Sequence, residues 1–111
     1  MNDDKQSKIW SLKRSNYWSL NELKGVEKLL HKKGDEILEV VNAIRNLKLI
    51  EKYEDIKPLD VRRVYLLKEQ EALISLLVRI RQDIYENGKE ILKLRHLIQQ
   101  EKKANEHSNC T

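Results

Sequence analysis

The stretch LDVRRVYLLKEQEALISLLVRIRQDIYE, residues 59–86, decides the fold. Apolar side chains recur in it at alternating steps of four and three residues, and this spacing continues as far as Ile98. The positions are Leu66, Gln70, Leu73, Leu77, Ile80, Ile84, Asn87, Ile91, Leu94 and Ile98, of which eight are apolar. Such spacing is typical of the seam of a coiled-coil helix. A second apolar row on the same helix comprises Leu67, Ile74, Leu76 and Val78. A helix that is apolar on two sides is expected to be covered by more than one partner.

Capping residues and chain breakers divide the rest of the sequence into shorter segments. Ser19 and Glu22 have the spacing of a capping box, which predicts a helix start. Gly34 follows two lysines, a combination typical of a helix end. The dipeptide Asn87-Gly88 falls on the seam and is predicted to end or kink the long helix. The predicted elements are helices over 20–33, 35–52, 59–86 and 89–103, with a linker over 53–59 that contains the single proline.

The predicted fold is all-α, with three to four helices of which one is a long heptad helix, arranged as a bundle or as a coiled-coil assembly. The 28 residues of 59–86 make a helix about 42 Å long, whereas a compact chain of this length is roughly 34 Å across. Part of the seam is therefore expected to contact other protein subunits or a second copy. The alternative is a compact bundle folded back at Gly88. The predicted domains are a flexible basic and aromatic arm over 1–18, a helical domain over 19–103 and a disordered tail over 104–111.

The composition excludes several classes of protein. With one cysteine, Cys110, and three scattered histidines, the chain has neither a disulfide scaffold nor the ligand spacing of a zinc site. Its three glycines are isolated, which excludes a glycine-rich phosphate loop. No apolar run is long enough to cross a membrane. We therefore expect a protein that is not an enzyme, has no cofactor, metal or small-molecule substrate, and lies in the cytoplasm, on the nucleoid or in a eukaryotic nucleus.

Two groups of residues are candidates for contacts with other molecules. The seam is predicted to pack against the chain's own helices and a partner, and the interface residues are Leu66, Leu73, Leu77, Ile80, Ile84, Ile91 and Leu94. Basic residues interleaved with aromatic ones can combine phosphate contacts with base stacking, and the candidate nucleic-acid contacts are Lys8, Trp10, Lys13, Arg14, Trp18, Arg62 and Arg63. Alternatively, Trp10 and Trp18 cap the helical core. The net charge of +4 supports weak, salt-sensitive DNA affinity and nothing more specific.

A helix with the sequence EILEVVNAIRNL, residues 36–47, is followed by a charged linker. The long helix after the linker is DVRRVYLLKEQEALISLLVRIRQDIYENG, residues 60–88. With this layout the region from Leu29 to Glu90 resembles the helical domain of a GINS subunit of the archaeal or Sld/Psf type. Three of its residues stand roughly where the family has an LLxxRxxKI-like patch, namely Arg79, Arg81 and Ile84. Asp83 occupies the position of the lysine in that patch.

The resemblance implies a non-catalytic role beside the replicative helicase. GINS is a tetrameric replication factor that binds the MCM helicase, and the resemblance implies assembly through long helices packed side by side. The first hypothesis is therefore a non-catalytic helical subunit of a DNA replication complex that acts through helix–helix contacts. The second hypothesis is a small homodimeric DNA-binding or regulatory protein of viral or plasmid type, which contacts DNA with its basic N-terminal arm.

Overall fold

Two long α-helices and a short connection make up the described part of the chain. The computed structural model describes residues 2–109, with side chains for 3–106. Helix α1 is Asn2–Leu49, a short 3₁₀ helix is Tyr53–Asp55, and helix α2 is Ile56–Asn109. The predicted all-α class is confirmed. The predicted count of three to four helices is wrong, because residues 2–109 form two long helices.

The described residues form two compact units, each of which pairs a segment of α1 with an antiparallel segment of α2. The first unit takes the described residues of 1–22 and 80–111, and the second unit is Leu23–Arg79. The core of the first unit consists of Ile9, Ile91, Leu94 and Ile98, with Leu12 packed against them. The core of the second unit consists of Val40, Ile44 and Leu66, with Ile37, Ile56 and Leu59 packed against them. Both cores are therefore made by contacts between the two helices, as in an αα-hairpin.

Helix α1 has an inward seam with heptad spacing, which the apolar pattern alone did not reveal. Buried or half-buried side chains recur along it at alternating steps of four and three residues. They are Lys5, Ile9, Leu12, Asn16, Ser19, Leu23, Val26, Leu30, Lys33, Ile37, Val40, Ile44 and Leu47. Because Lys5 and Asn16 interrupt the apolar period, the first eighteen residues showed no clear period in the sequence.

The seam predicted on α2 is confirmed as the inward face of that helix. All ten predicted positions, from Leu66 to Ile98, are buried or half-buried. The same spacing extends back to Ile56 and forward to Glu101. Since α1 has a seam of matching period, the segments of the two helices in each unit pair in the manner of an antiparallel coiled coil.

The helix end predicted at Gly34 is wrong, because α1 continues through it to Leu49. No glycine among the described residues has a positive φ, so Gly34 does not make the left-handed turn that ends many helices. A glycine inside a helix costs about 1 kcal/mol relative to alanine. Ion pairs beside Gly34 help to offset the cost of the glycine. Lys33 Nζ lies 3.6 Å from Glu36 Oε2 on the same helix and 2.5 Å from Glu69 Oε2 on α2.

The break predicted at Asn87-Gly88 is also wrong, because α2 passes through it without interruption. Asn87 Nδ2 donates a hydrogen bond of 2.9 Å to Asn16 Oδ1 on α1. The asparagine is thus a polar member of the seam, and its cross-helix partner offsets the poor helix propensity of the dipeptide. The separate helix predicted over 89–103 is therefore a part of α2.

The predicted terminal segments are helical wherever the structure describes them. Helix α1 begins at Asn2, so the predicted flexible arm is helix up to and beyond residue 18. Helix α2 includes 104–109, where the sequence predicted a disordered tail. Met1, Cys110 and Thr111 lie outside the described residues. In the first segment the pairing of α1 with α2 extends as far as Lys5, which contacts Glu101 on α2.

The connection between the helices begins earlier than the predicted linker over 53–59. Glu51 follows the end of α1 and has a positive φ of 59°, which reverses the chain at a residue other than glycine. Pro58 lies in the first turn of α2. Backbone N–H groups in a first turn have no intrahelical partner, so a proline is tolerated there.

Candidate interaction surfaces

The seam of the first unit contains a hydrogen-bonded pair of asparagines. Asn87 Nδ2 donates to Asn16 Oδ1, and Asn16 Nδ2 donates to the backbone oxygen of Ile84 at 3.4 Å. At the far end of this unit, the side chains of Lys5 and Glu101 form an ion pair. Amides paired across a coiled-coil seam satisfy each other only in one alignment of the helices. These contacts therefore fix the register of the first unit.

The seam of the second unit contains a lysine on α1 that pairs with carboxylates. The Lys33 side chain is 18% exposed, and its ammonium contacts Glu69 on α2 and Glu36 on α1. The hydrogen bond to Glu69 raises the pKa of Lys33, and attraction to both carboxylates adds to this effect while partial burial opposes it. The charge pair therefore links α1 and α2 at an inward position of the seam.

The structure places all seven predicted interface residues on the inward face of α2. Four are buried, with side chains 3–8% exposed, and these are Leu66, Ile80, Ile91 and Leu94. The other three, Leu73, Leu77 and Ile84, are half-buried. The chain itself covers the buried four, so the predicted packing against its own helices accounts for them. Contact of the remaining three with another subunit stays a prediction.

A second apolar row faces outward on α2 in the second unit. We call this row the outer stripe, and it comprises Val64, Leu67, Glu71, Ile74 and Val78. Its four apolar side chains are 40–59% exposed. Together with Glu71 they recur at steps of three and four residues, the spacing that a second helix can contact. The sequence had predicted Leu67, Ile74 and Val78 as a second row, but Val64 and Glu71 were missed although they continue the same spacing.

The fourth member of the predicted second row, Leu76, does not lie on the outer stripe. It is half-buried and lines a cleft of the second unit beside Lys33 and Glu69. Leu29, Ala72 and Leu73 complete the lining of this cleft. The side chain therefore belongs to the other flank of α2.

An aromatic and basic patch lies on the outward face of α1 in the first unit. Trp10, Tyr17 and Trp18 are 61–63% exposed. The Arg14 guanidinium carbon lies 5.6 Å from the ring centroid of Trp10, a cation–π distance. The rings of Tyr17 and Trp18 meet edge to face at 5.7 Å. The interpretation that Trp10 and Trp18 cap the helical core is therefore wrong.

The remaining basic candidates are divided between the two units. Lys13 is exposed on α1, and Lys8 Nζ lies 3.7 Å from Glu90 Oε1 on α2. In the second unit Arg62 is exposed. Arg63 is half-buried, and one of its terminal nitrogens lies 2.6 Å from Asp60 Oδ1. The structure thus brings Lys13 into the same unit as the aromatic patch and places the two arginines in the other.

Arg63 also borders a cleft of about 340 Å³ near the end of α1. The cleft is lined by Val41, Ile44, Arg45, Lys48, Leu49 and Arg63. The Arg63 Nε is buried and has no hydrogen-bond partner among the described residues. Arg63 occupies a seam position of α2, where an apolar residue is more usual. This seam position therefore lies at the edge of the cleft.

The described residues contain no cluster of three or more His, Cys, Asp or Glu side chains arranged to bind a metal ion. In the same part of the chain, neither helix has a segment that is both apolar and long enough to span a membrane.

Comparisons with known proteins give no relative from which a function could be transferred. No family model, curated protein or solved structure matches the chain. The GINS resemblance therefore remains a prediction from residue pattern. The surfaces available for a functional argument are the outer stripe and the aromatic and basic patch.

Proposed function

We propose that the chain is a non-catalytic helical subunit that binds other proteins through the outer stripe of α2. The observation that carries this proposal is the exposure of Val64, Leu67, Ile74 and Val78 at helix-pairing spacing. The inward seam of α2 pairs with α1 of the same chain, whereas the outer stripe has no cover among the described residues. Exposed apolar rows of this kind mark protein-binding surfaces.

The energy available from the stripe indicates what kind of partner it needs. Full burial of a Val, Leu or Ile side chain contributes about 1.5–3 kcal/mol. The four side chains are about half exposed, so covering them would contribute roughly 3–6 kcal/mol from this chain's side. Association itself costs about 4–15 kcal/mol. A stable complex therefore requires a partner that presents an apolar face of its own, such as an amphipathic helix.

Site-specific photo-crosslinking in the native host tests the proposal. A photoreactive residue placed at Ile74 is expected to crosslink the chain to another polypeptide, which is either a second copy or a different protein. The matched control is the same residue at Tyr65, which is 65% exposed on α2 and has no stripe member three or four residues away on the helix. Equal crosslinking at the two positions, or none at Ile74, would contradict a role for the stripe.

The more specific proposal is a helicase-accessory role in DNA replication. It is supported by the similarity of residues 29–90 to the helical domain of GINS subunits, and by the use of long helices for assembly. It is tested by affinity purification from the host, with GINS-type subunits and MCM helicase as the expected partners. Recovery of the chain in complexes that contain neither would count against this role.

DNA binding is a second candidate function, and the aromatic and basic patch favours it. Lys13 and Arg14 lie among exposed aromatic rings on the outward face of α1. Cations combined with stacking platforms are the usual means of binding single-stranded nucleic acid. The Lys13→Gln/Arg14→Gln variant is expected to lower affinity for single-stranded DNA and to flatten its dependence on salt. An unaltered gel shift would argue against this function.

A further inference from the structure

We propose that one side of the first unit binds the surface of a membrane that contains anionic lipids. The inference goes beyond the proposed function and does not depend on it, because the outer stripe lies in the second unit. It rests on the way in which charged and apolar side chains are divided between the two sides of the first unit. The two helices would lie on the lipid surface, as interfacial helices do.

An ion pair shows which side of α1 and which side of α2 coincide in the first unit. Successive residues of a helix point about 100° apart, so the residues just before and just after a seam position lie on opposite sides of the seam. Lys8 comes just before Ile9 on α1. Glu90 comes just before Ile91 on α2, and its Oε1 lies 3.7 Å from Lys8 Nζ. The residues before seam positions therefore share one side of the unit, and the residues after seam positions share the other.

Acidic residues are kept to one of these two sides. Along the seam from Lys5 to Ser19 on α1 and from Ile80 to Glu101 on α2, no residue that follows a seam position is acidic. We call this side the acid-free flank, and its exposed basic residues include Lys13, Arg95 and Lys102. The acidic residues that precede seam positions are Asp4, Asp83, Glu86 and Glu90. The acid-free flank is therefore the side with a charge complementary to anionic lipid headgroups.

The acid-free flank also has large apolar side chains in contact with solvent. Five residues that directly follow seam positions are 45–65% exposed, namely Trp10, Tyr17, Leu20, Tyr85 and Leu92. Trp18 precedes Ser19 and so lies on the other side. Tryptophan, tyrosine and leucine beside basic residues are typical of a helix face that enters the boundary between headgroups and acyl chains.

On each helix a cation lies over a ring of the acid-free flank. The Arg14 guanidinium carbon is 5.6 Å from the ring centroid of Trp10, and Lys89 Nζ is 5.2 Å from that of Tyr85. Long basic side chains can keep the charge among the headgroups while the apolar neighbour goes deeper. Both helices thus place a positive charge and an amphipathic ring at the same level of the lipid surface.

Two observations favour lipid over single-stranded nucleic acid, which cations and rings can also bind. Leu20 and Leu92 are exposed on the flank and have no ring on which a base could stack, whereas their burial at a lipid surface is favourable. The cations over Trp10 and Tyr85 occupy one face of each ring. Fewer ring faces are therefore free for bases.

Sedimentation of the full chain with vesicles tests the inference. The chain should sediment with vesicles of equal parts phosphatidylcholine and phosphatidylglycerol, and much less with phosphatidylcholine alone. Arg95→Gln should weaken binding about fivefold, since a cation near an anionic surface contributes about that factor. The matched control is Lys93→Gln, on the other side of the same seam residue, which should bind nearly as wild type. Leu92→Ser should weaken binding by about 5- to 30-fold, and circular dichroism establishes that each variant is helical.

The two tryptophans report which side contacts lipid, because both are 61–63% exposed and they lie on opposite sides. In Trp18→Phe the remaining Trp10 fluorescence should shift to shorter wavelength on these vesicles, and brominated lipid should quench it. In Trp10→Phe the emission of Trp18 should stay close to its wavelength in solution.

Each alternative result overturns the inference. A chain that does not sediment with the phosphatidylglycerol vesicles contradicts the membrane as partner. Equal losses for Arg95→Gln and Lys93→Gln, or an equal shift for the two tryptophans, contradict the acid-free flank as the contact surface. Binding of a single-stranded oligonucleotide without binding of vesicles would assign the flank to nucleic acid. None of these results bears on crosslinking from Ile74, so the proposed function stands or fails separately.

Discussion

Replacing Leu66 with alanine is expected to destabilise the chain by about 3 kcal/mol. Leu66 is 3% exposed and packs with Val40 and Ile44 in the core of the second unit. Leu→Ala removes three carbon groups, which contribute about 0.8 kcal/mol each when buried, or roughly 2.4 kcal/mol together. The cavity left behind adds to this, and Leu→Ala changes in protein cores cost about 2–5 kcal/mol. We take about 3 kcal/mol because a core between two helices has room to contract.

The matched control is Leu38→Ala, in the same unit on the outward side of α1. Leu38 is 59% exposed, so the same three groups lose roughly 1 kcal/mol of burial and leave no cavity. The two variants should therefore differ by about 2 kcal/mol, which separates their urea midpoints by about 1–2 M. The assay is urea denaturation followed by circular dichroism at one protein concentration. Equal midpoints for the two variants would refute the assignment of Leu66 to an inward seam.

Three further predictions concern residues that interrupt the apolar pattern. Gly34→Ala and Gly88→Ala should each raise the free energy of unfolding by about 1 kcal/mol, and with it the melting temperature, because both glycines are helical. An added methyl group would meet open space at either position. A lower melting temperature would indicate a break in the helix. Asn87→Ala should cost about 1–3 kcal/mol in urea denaturation because it leaves the Asn16 amide without its partner, and a neutral effect would contradict the pairing. The hydrogen bond to Glu69 raises the pKa of Lys33, so the stability that the pair contributes is complete below the ordinary pKa of 10.5 and is lost as the pH rises from 10.5 through the raised pKa. Over that pH range the unfolding free energy of Lys33→Met should therefore fall less steeply than that of the wild type, and parallel curves would contradict the pair.

The sequence was sufficient to predict the inward face of α2. The heptad spacing from Leu66 to Ile98 includes Gln70 and Asn87, and both polar positions are half-buried as the spacing requires. The helix ends at Gly34 and at Asn87-Gly88 could not be predicted correctly from local signals. Each of those sites is next to a side chain that pairs with the other helix, and such contacts between residues distant in sequence outweigh a cost of about 1 kcal/mol.

The candidate surfaces were predicted in part. The second apolar row on α2 was visible in the sequence, but its acidic member Glu71 was not recognised as part of it. Helix α1 was not recognised before residue 20, because polar residues occupy two of its first four seam positions and its tryptophans face outward. A search for alternating steps of four and three that accepts polar members would have traced this seam from Lys5 to Leu47.

Disulfide formation between positions 16 and 87 tests most directly that α1 of the same chain covers the seam of α2. The asparagines at these positions are hydrogen bonded across the two helices. In an Asn16→Cys/Asn87→Cys variant that also carries Cys110→Ser, mild oxidation should give an intrachain disulfide in monomer-sized chains on a denaturing gel. The control pairs Asn16→Cys with Glu86→Cys, which is exposed and should not close. Disulfides that form only between chains, or equal closure in the control, would contradict an antiparallel hairpin closed within one chain.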